Sequence, residues 1–263
     1  MPEEIEEYRD MMWRRDEEHC VKNVFDAEKF IEGVGFCYGL TDARTPAPSL
    51  YIAICGRRDA FMPRNVQKDP EASLAWVTKD EVMKRGRVYY AKLLKGKSIF
   101  VAPHLVPYFN VLLGVPKKEE KEKLSADAQA VLKALRKEWE MATSDLNKEA
   151  KLNDKKCLGK ALDELQKKMK VVPAEALYEP WFTYIWTLSE ARFGDELKKK
   201  VSREDALKEI ARAFLNGAGM SLRGELAKIT GLSRVDAGKG NHGLVKEGFA
   251  ERLSVGVYRK TGF

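Results

Sequence analysis

The sequence predicts a helix-rich α+β fold, and three observations predict it. Between Leu124 and Leu188, three helix signals precede two apolar runs separated by a polar tip. A similar order of signals returns between Ser202 and Phe263 at similar length, which marks a repeat. Ahead of both lies a small mixed α/β region in which glycine-punctuated apolar runs alternate with basic turns. Helix, helix, turn, helix and hairpin is the winged helix-turn-helix plan, here in tandem. The expected divisions are 1–58, an α-rich unit with the outline of a degenerate winged helix; 59–116, a mixed basic region; 124–190, a winged helix-turn-helix; and 202–263, a second one.

In the central unit, Ser125 can cap a helix whose apolar residues Ala128, Val131, Leu132 and Leu135 recur at helical spacing. Thr143 or Ser144 can cap a short second helix, and Asp154 stands at the mouth of a third, with the stripe Leu158, Ala161, Leu162, Leu165 and Met169. Val171-Val172 and Trp181 to Leu188 are β-branched and aromatic, as strands are, and Pro173 and Pro180 punctuate the link between them. The polar face of the third helix carries Lys155, Lys156, Lys160, Lys167 and Lys168, and a helix is the element that fits a DNA major groove. A solvated lysine face, or a protein-binding one, fits the same pattern.

In the last unit, Ser202 precedes Asp205 by three residues, close to a capping box, ahead of Ala206, Ile210, Ala213 and Phe214. Ser221 is expected to begin a second helix, Arg234 to Glu247 to form the third, and Phe249–Val255 to pair with Val257–Phe263 around Gly256. Arg234 and Lys239 are its candidate DNA contacts.

Toward the N-terminus, residues 1–24 read as an amphipathic lead-in with Tyr8, Met11, Met12 and Trp13 on one side, and Asp26 as the cap of a helix from Ala27 to Val34. Ser49 can start a short apolar helix, Leu50 to Cys55, after the Pro-rich turn. Lys79 to Lys97 holds seven bases and two acids, and Lys95 and Lys97 form its basic turn before a strand. Tyrosines beside such bases suit a sugar- and phosphate-contacting surface, although aromatics such as Tyr89, Tyr90, Tyr108 and Phe109 are more often core residues.

A net charge of +7, with −5 in residues 1–30 and so +12 on the rest, favours polyanionic partners. The acidic opening is not a secretory or transit signal, and no apolar run reaches the roughly 18 residues a membrane helix needs. Cys20, Cys37, Cys55 and Cys157 form no C-x-x-C pair. They are expected to be reduced thiols in a cytoplasmic protein. Gly238-Lys239-Gly240-Asn241-His242-Gly243 matches G-x-G-x-x-G but lies inside the expected third helix, so an irregular helix or a close backbone approach, such as to phosphate, is expected there rather than a dinucleotide. His19, His104 and His242 are scattered, so neither a metal, a Ser/His triad nor a cofactor is expected.

Gly35-Phe36-Cys37-Tyr38-Gly39, Pro48-Ser49-Leu50, Cys55-Gly56-Arg57, the run from Tyr89 to Val101 and the two C-terminal units give the chain a resemblance from about Phe25 onward. It is similar to the AlkZ-like winged-helix DNA glycosylase superfamily, and more closely to its AlkZ-related branch. That resemblance implies tandem winged helices embracing duplex DNA. Active members carry Gln-x-Gln or Gln-x-Asp where this chain has Cys37-Tyr38-Gly39, so the amide and carboxylate that orient water at the sugar are missing. If base excision occurs, a carboxylate such as Asp42, Asp80 or Glu81 has to take that part.

The leading expectation is duplex DNA binding without the usual catalytic motif, in repair or regulation. Excision of alkylated bases is the first alternative, and a winged-helix protein–protein module the second. The oligomeric state is left open.

Overall fold

In the computed structural model, which describes residues 1–263, one order of elements occurs three times: helix, short strand, two helices, then a hairpin. Helix α1 (Glu3–Trp13) leads. The first occurrence is α2 (Val24–Val34), β1 (Phe36–Tyr38), α3 (Leu50–Cys55), α4 (Pro70–Arg85), β2 (Tyr89–Leu94) and β3 (Lys97–Val101). After α5 (Val106–Leu113) and α6 (Glu120–Lys123) come α7 (Ala126–Glu138), β4 (Glu140–Ala142), α8 (Thr143–Glu149), α9 (Lys155–Lys167), β5 (Val171–Leu177) and β6 (Thr183–Leu188). Two short helices, α10 (Ser189–Arg192) and α11 (Gly194–Lys198), lead to α12 (Arg203–Ala218), β7 (Met220–Ser221), α13 (Glu225–Thr230), α14 (Arg234–Lys246), β8 (Ala250–Ser254) and β9 (Val257–Lys260).

Each occurrence closes its sheet in the same way, the short first strand lying against the last: β1-β3-β2, β4-β6-β5 and β7-β9-β8, all antiparallel. Cys37 is thus opposite Phe100, which is opposite Tyr90 on its other side. The hydrogen bonds of one sheet therefore join the segments 1–58 and 59–116.

The core falls into two clusters. The larger joins the first and third occurrences, with Phe36, Tyr51, Phe100, Phe214 and Leu226 among its members. The smaller belongs to the second, around Val131, Leu135, Leu158, Leu165 and Trp186. The second unit thus has a core of its own and meets the first at β2, where the Gln166 amide oxygen accepts from the Lys92 N–H at 3.0 Å and Lys92 pairs with Asp163 at 2.9 Å. The first and third meet where the Tyr38 hydroxyl donates to the Ile229 carbonyl at 2.6 Å and Lys95 donates to the Lys228 carbonyl at 2.8 Å. Arg9 fastens α1 to the third unit, donating to the Ala218 and Met220 carbonyls at 3.0 and 2.6 Å and pairing with Glu225.

Several local expectations are corrected. The inward face of α1 is Ile5, Arg9 and Trp13, while Met11 is exposed. Asn23, not Asp26, caps α2 by accepting from the Phe25 and Asp26 N–H groups. The Ser49 hydroxyl donates to the Thr41 carbonyl instead of capping α3. Thr143 does not cap α8; its hydroxyl donates to the Tyr184 carbonyl and accepts from Trp186 Nε1. Ser221 is in a strand and its helix starts at Glu225. Ser125, Asp154 and Ser202 accept the expected backbone hydrogen bonds. Pro173 sits within β5 beside a register shift, where a missing N–H is tolerated.

The glycine motif lies wholly within α14. It makes a close approach to protein: a Cβ on Gly240 would strike the Leu207 carbonyl of α12 and lie 3.1 Å from the Ala211 Cβ. Tyr89, Tyr90 and Phe109 are buried, Tyr108 half-buried.

Candidate functional site

Trp76, Lys79 and Asp80 stand three and four residues apart on α4, so one helix face presents all three. Lys79 is only 2% exposed, which demands compensation for its charge. It finds it in an ion pair with Asp80 and in aromatic faces: its ammonium lies 4.7 Å from the Trp76 ring centroid, 5.6 Å from Tyr184 and 5.9 Å from Tyr90. It also donates to the Tyr184 hydroxyl at 3.3 Å.

The hairpin of the second unit closes over this helix. Tyr178, at its tip, donates to Asp80 and accepts from Trp76 Nε1 at 2.9 Å. Behind it Phe182, Tyr184 and Trp186 continue an edge-on ladder with centroids 5.4, 5.2 and 5.7 Å apart. Burial, reinforced by the charge of Asp80, pushes the phenols of Tyr178 and Tyr184 up to about 12. Both are neutral hydroxyls at physiological pH. The tip itself is bare, with Trp181 80% exposed and Phe182 51%.

Beside the caged lysine opens a cavity of about 740 Å³, lined by Asp42, Arg44 and Lys97 together with Trp76, Tyr90 and Tyr184. That volume suits a nucleotide-sized ligand. Asp42 is buried, and the Arg44 guanidinium on it, against the opposing effect of burial, lowers its pKa to about 2. Its oxygens also accept from the Arg44 and Met62 N–H groups at 3.1 and 3.2 Å. It is therefore a fixed anion, able to orient a polar group but not to deliver a proton at neutral pH. Lys97 donates to the Thr45 hydroxyl at 3.0 Å, its ammonium 5.8 Å from the Tyr38 ring centroid.

Cys37 and Gly39 offer nothing to this chemistry. Cys37 is fully buried, and burial pushes its thiol far above the range in which it ionises. A side chain at Gly39 would lie 3.6 Å from the Tyr90 ring and 3.7 Å from the Ser98 carbonyl, both on the cavity wall. The position is buried behind that wall and carries no functional group. Of the other carboxylates, Asp80 is spent on Lys79 and Tyr178, and Glu81 is exposed outside the cavity.

The predicted basic residues divide into two groups. Lys155, Lys156, Lys160 and Lys167 on α9, and Arg234 and Lys239 on α14, are exposed and make no ion pair. At about 100° per residue, Lys156, Lys160 and Lys167 fall within roughly 40° of each other, opposite the buried stripe of Leu158, Ala161 and Leu165. Lys95 and Lys97, by contrast, are engaged by the Lys228 carbonyl and Thr45. The sequence reading missed Trp76, Lys79, Tyr178 and Tyr184 as a group. The spacing of Trp76, Lys79 and Asp80 was a legible signal; the hairpin contact, about a hundred residues away in sequence, was not.

Comparison with known proteins places this architecture. The sequence model of a family described as AlkZ related matches residues 21–231. The chain belongs to the AlkZ-related family. Its fold is similar to that of Streptomyces sahachiroi DNA glycosylase AlkZ, with a TM-score of 0.56 and 12% sequence identity over 97% of this chain and 69% of that one. At that identity the likeness concerns the fold. No curated protein sequence matches. No helix of this AlkZ-related chain is long and apolar enough to cross a membrane.

Proposed function

We propose that this AlkZ-related protein binds duplex DNA, and that its three repeated units are tandem winged helices presenting α9 and α14 to the duplex. One observation carries the reading: at the same place in two successive units, the third helix carries exposed cations without carboxylate partners, Lys156, Lys160 and Lys167 on α9 and Arg234 and Lys239 on α14. Unpaired cations gain from releasing counterions around phosphate, whereas paired ones have to be separated first. The bare aromatic tip at Trp181 and Phe182 adds a surface on which bases can stack. The domain reading that goes with it is a first winged unit over about 24–101, with 124–190 and 202–263 as the second and third. DNA repair is the process the family and the fold suggest.

Base excision is a second reading, favoured by the nucleotide-sized cavity with Asp42 at its wall. In that reading Asp42 stabilises positive charge developing on the sugar, and water attacks without help from Cys37 or Gly39.

The test is a labelled duplex, with and without N7-alkylguanine, titrated at 50 and 200 mM salt. Affinity falling steeply with salt supports phosphate contact, and weak, salt-insensitive binding overturns it. Strand breaks after alkaline heating, above a protein-free control, would establish excision; intact strands leave a binding protein.

A further inference from the structure

The third unit holds a second concavity, of about 520 Å³, between α13, the start of α14 and the β8–β9 turn. Three arginines converge on it from three elements: Arg223 before α13, Arg234 at the first residue of α14, and Arg252 on β8. All three are exposed and none has an ion pair; Arg252 donates only to the Ser254 carbonyl of its own hairpin, at 3.3 Å. This is not for want of carboxylates nearby. On the same elements Glu225 is taken by Arg9 at 3.0 Å, Asp236 by Arg203 at 2.9 Å and Glu251 by Arg259 at 2.6 Å, while Glu247, just after α14, is taken by Lys208 at 2.5 Å. The acids are committed elsewhere, and the polar lining left to the cleft is the arginines, His242, Asn241 and Tyr258.

The wing turn helps to aim one of these arginines. Gly256 has a φ of +80°, and a Cβ there would lie 2.9 Å from the Arg223 Cγ. The stem of Arg223 therefore rests on the bare glycine backbone, which limits where its guanidinium can go. Arginine's planar fork is the side chain best matched to phosphate oxygens.

We propose that this cleft is a phosphate clamp for a nucleic-acid backbone, in which Arg223, Arg234 and Arg252 bind successive phosphates. The proposal rests on the DNA-binding reading above and adds Arg223 and Arg252 to it. An extended polyanion, rather than a single small anion, fits three cations spread over three elements, with Lys239 extending the charge along α14 and Val235 and Val255, each 68% exposed, beside it.

The experiment measures duplex affinity against salt for the full chain, for Arg223→Gln/Arg252→Gln, and for Lys156→Gln/Lys160→Gln as a comparison on α9, with folding of each checked by circular dichroism. Loss of two phosphate contacts lowers the slope of log affinity against log salt by about 1.8. An arginine variant with the unaltered slope, beside an α9 variant with a reduced one, overturns the clamp and leaves DNA binding standing. An unaltered protein without salt-dependent affinity overturns both. A parallel titration with inorganic phosphate separates a small-anion site: if phosphate binds the arginine cleft while the variant keeps full DNA affinity, the backbone assignment falls.

Discussion

The Tyr178 hydroxyl, on the hairpin of the second unit, donates its hydrogen to Asp80 on α4 of the first. Asp80 in turn holds Lys79, so one phenol ties a mobile class of element, a hairpin tip, to a buried ion pair. Two units with separate cores are joined at the edge of the candidate cavity.

That contact predicts an alkaline limb of stability. The folded-state pKa of Tyr178 is raised to about 12, against an ordinary value near 10, as are those of Tyr90 and Tyr184. Below pH 10 both folded and unfolded tyrosines are protonated and the contribution is fully present; from pH 10 to 12 the unfolded state sheds protons first, and stability falls. Urea melts between pH 8 and 11.5 should fall less steeply for Tyr178→Phe than for the unaltered chain. Parallel curves would remove Tyr178 from this account.

Asp42 predicts the acid limb with the opposite sign. The adjacent Arg44 keeps its pKa at about 2, below the ordinary 3.8, so its contribution is present above pH 4 and lost as the pH falls toward 2. Asp42→Asn should be less stable than the unaltered chain at pH 6, with the difference shrinking by pH 2.5. Arg44 is largely exposed, so solvent screening keeps the effect modest. A difference that stays constant across that range would refute the assignment.

Two glycines of one motif should respond oppositely to alanine. Gly240 packs against the Leu207 carbonyl, and Gly240→Ala should cost about 1–3 kcal/mol by overpacking. Gly238 has open space around it, and Gly238→Ala should stabilise by up to about 1 kcal/mol through helix propensity. Chemical denaturation of both variants checks the contrast; equal shifts would mean that the α12–α14 contact is not tight.

Trp181 should report on DNA directly. Base–aromatic stacking is worth about 1–3 kcal/mol, so Trp181→Ala should weaken binding by roughly 5- to 160-fold. Tryptophan emission quenched by DNA should lose most of its response in the variant. Unchanged affinity would return the tip to some other partner.

The chain order of helices and hairpins was legible because capping and periodicity act over a few residues. Asp154 accepts from Cys157 and Ser202 from Asp205, contacts three residues apart. The lack of an amide or carboxylate at Cys37 and Gly39, and the basic face of α9, were equally a matter of residue type and spacing. The tertiary structure decided what each charge does. Lys95 and Lys156 look alike in sequence, yet one is held by a carbonyl from the third unit and the other is free. The sheet that pairs β1 with β3, some sixty residues further on, and the hairpin that covers Lys79 depend on distant segments meeting. Local pattern carries no information about such partners, because their energies arise only when the chain has folded.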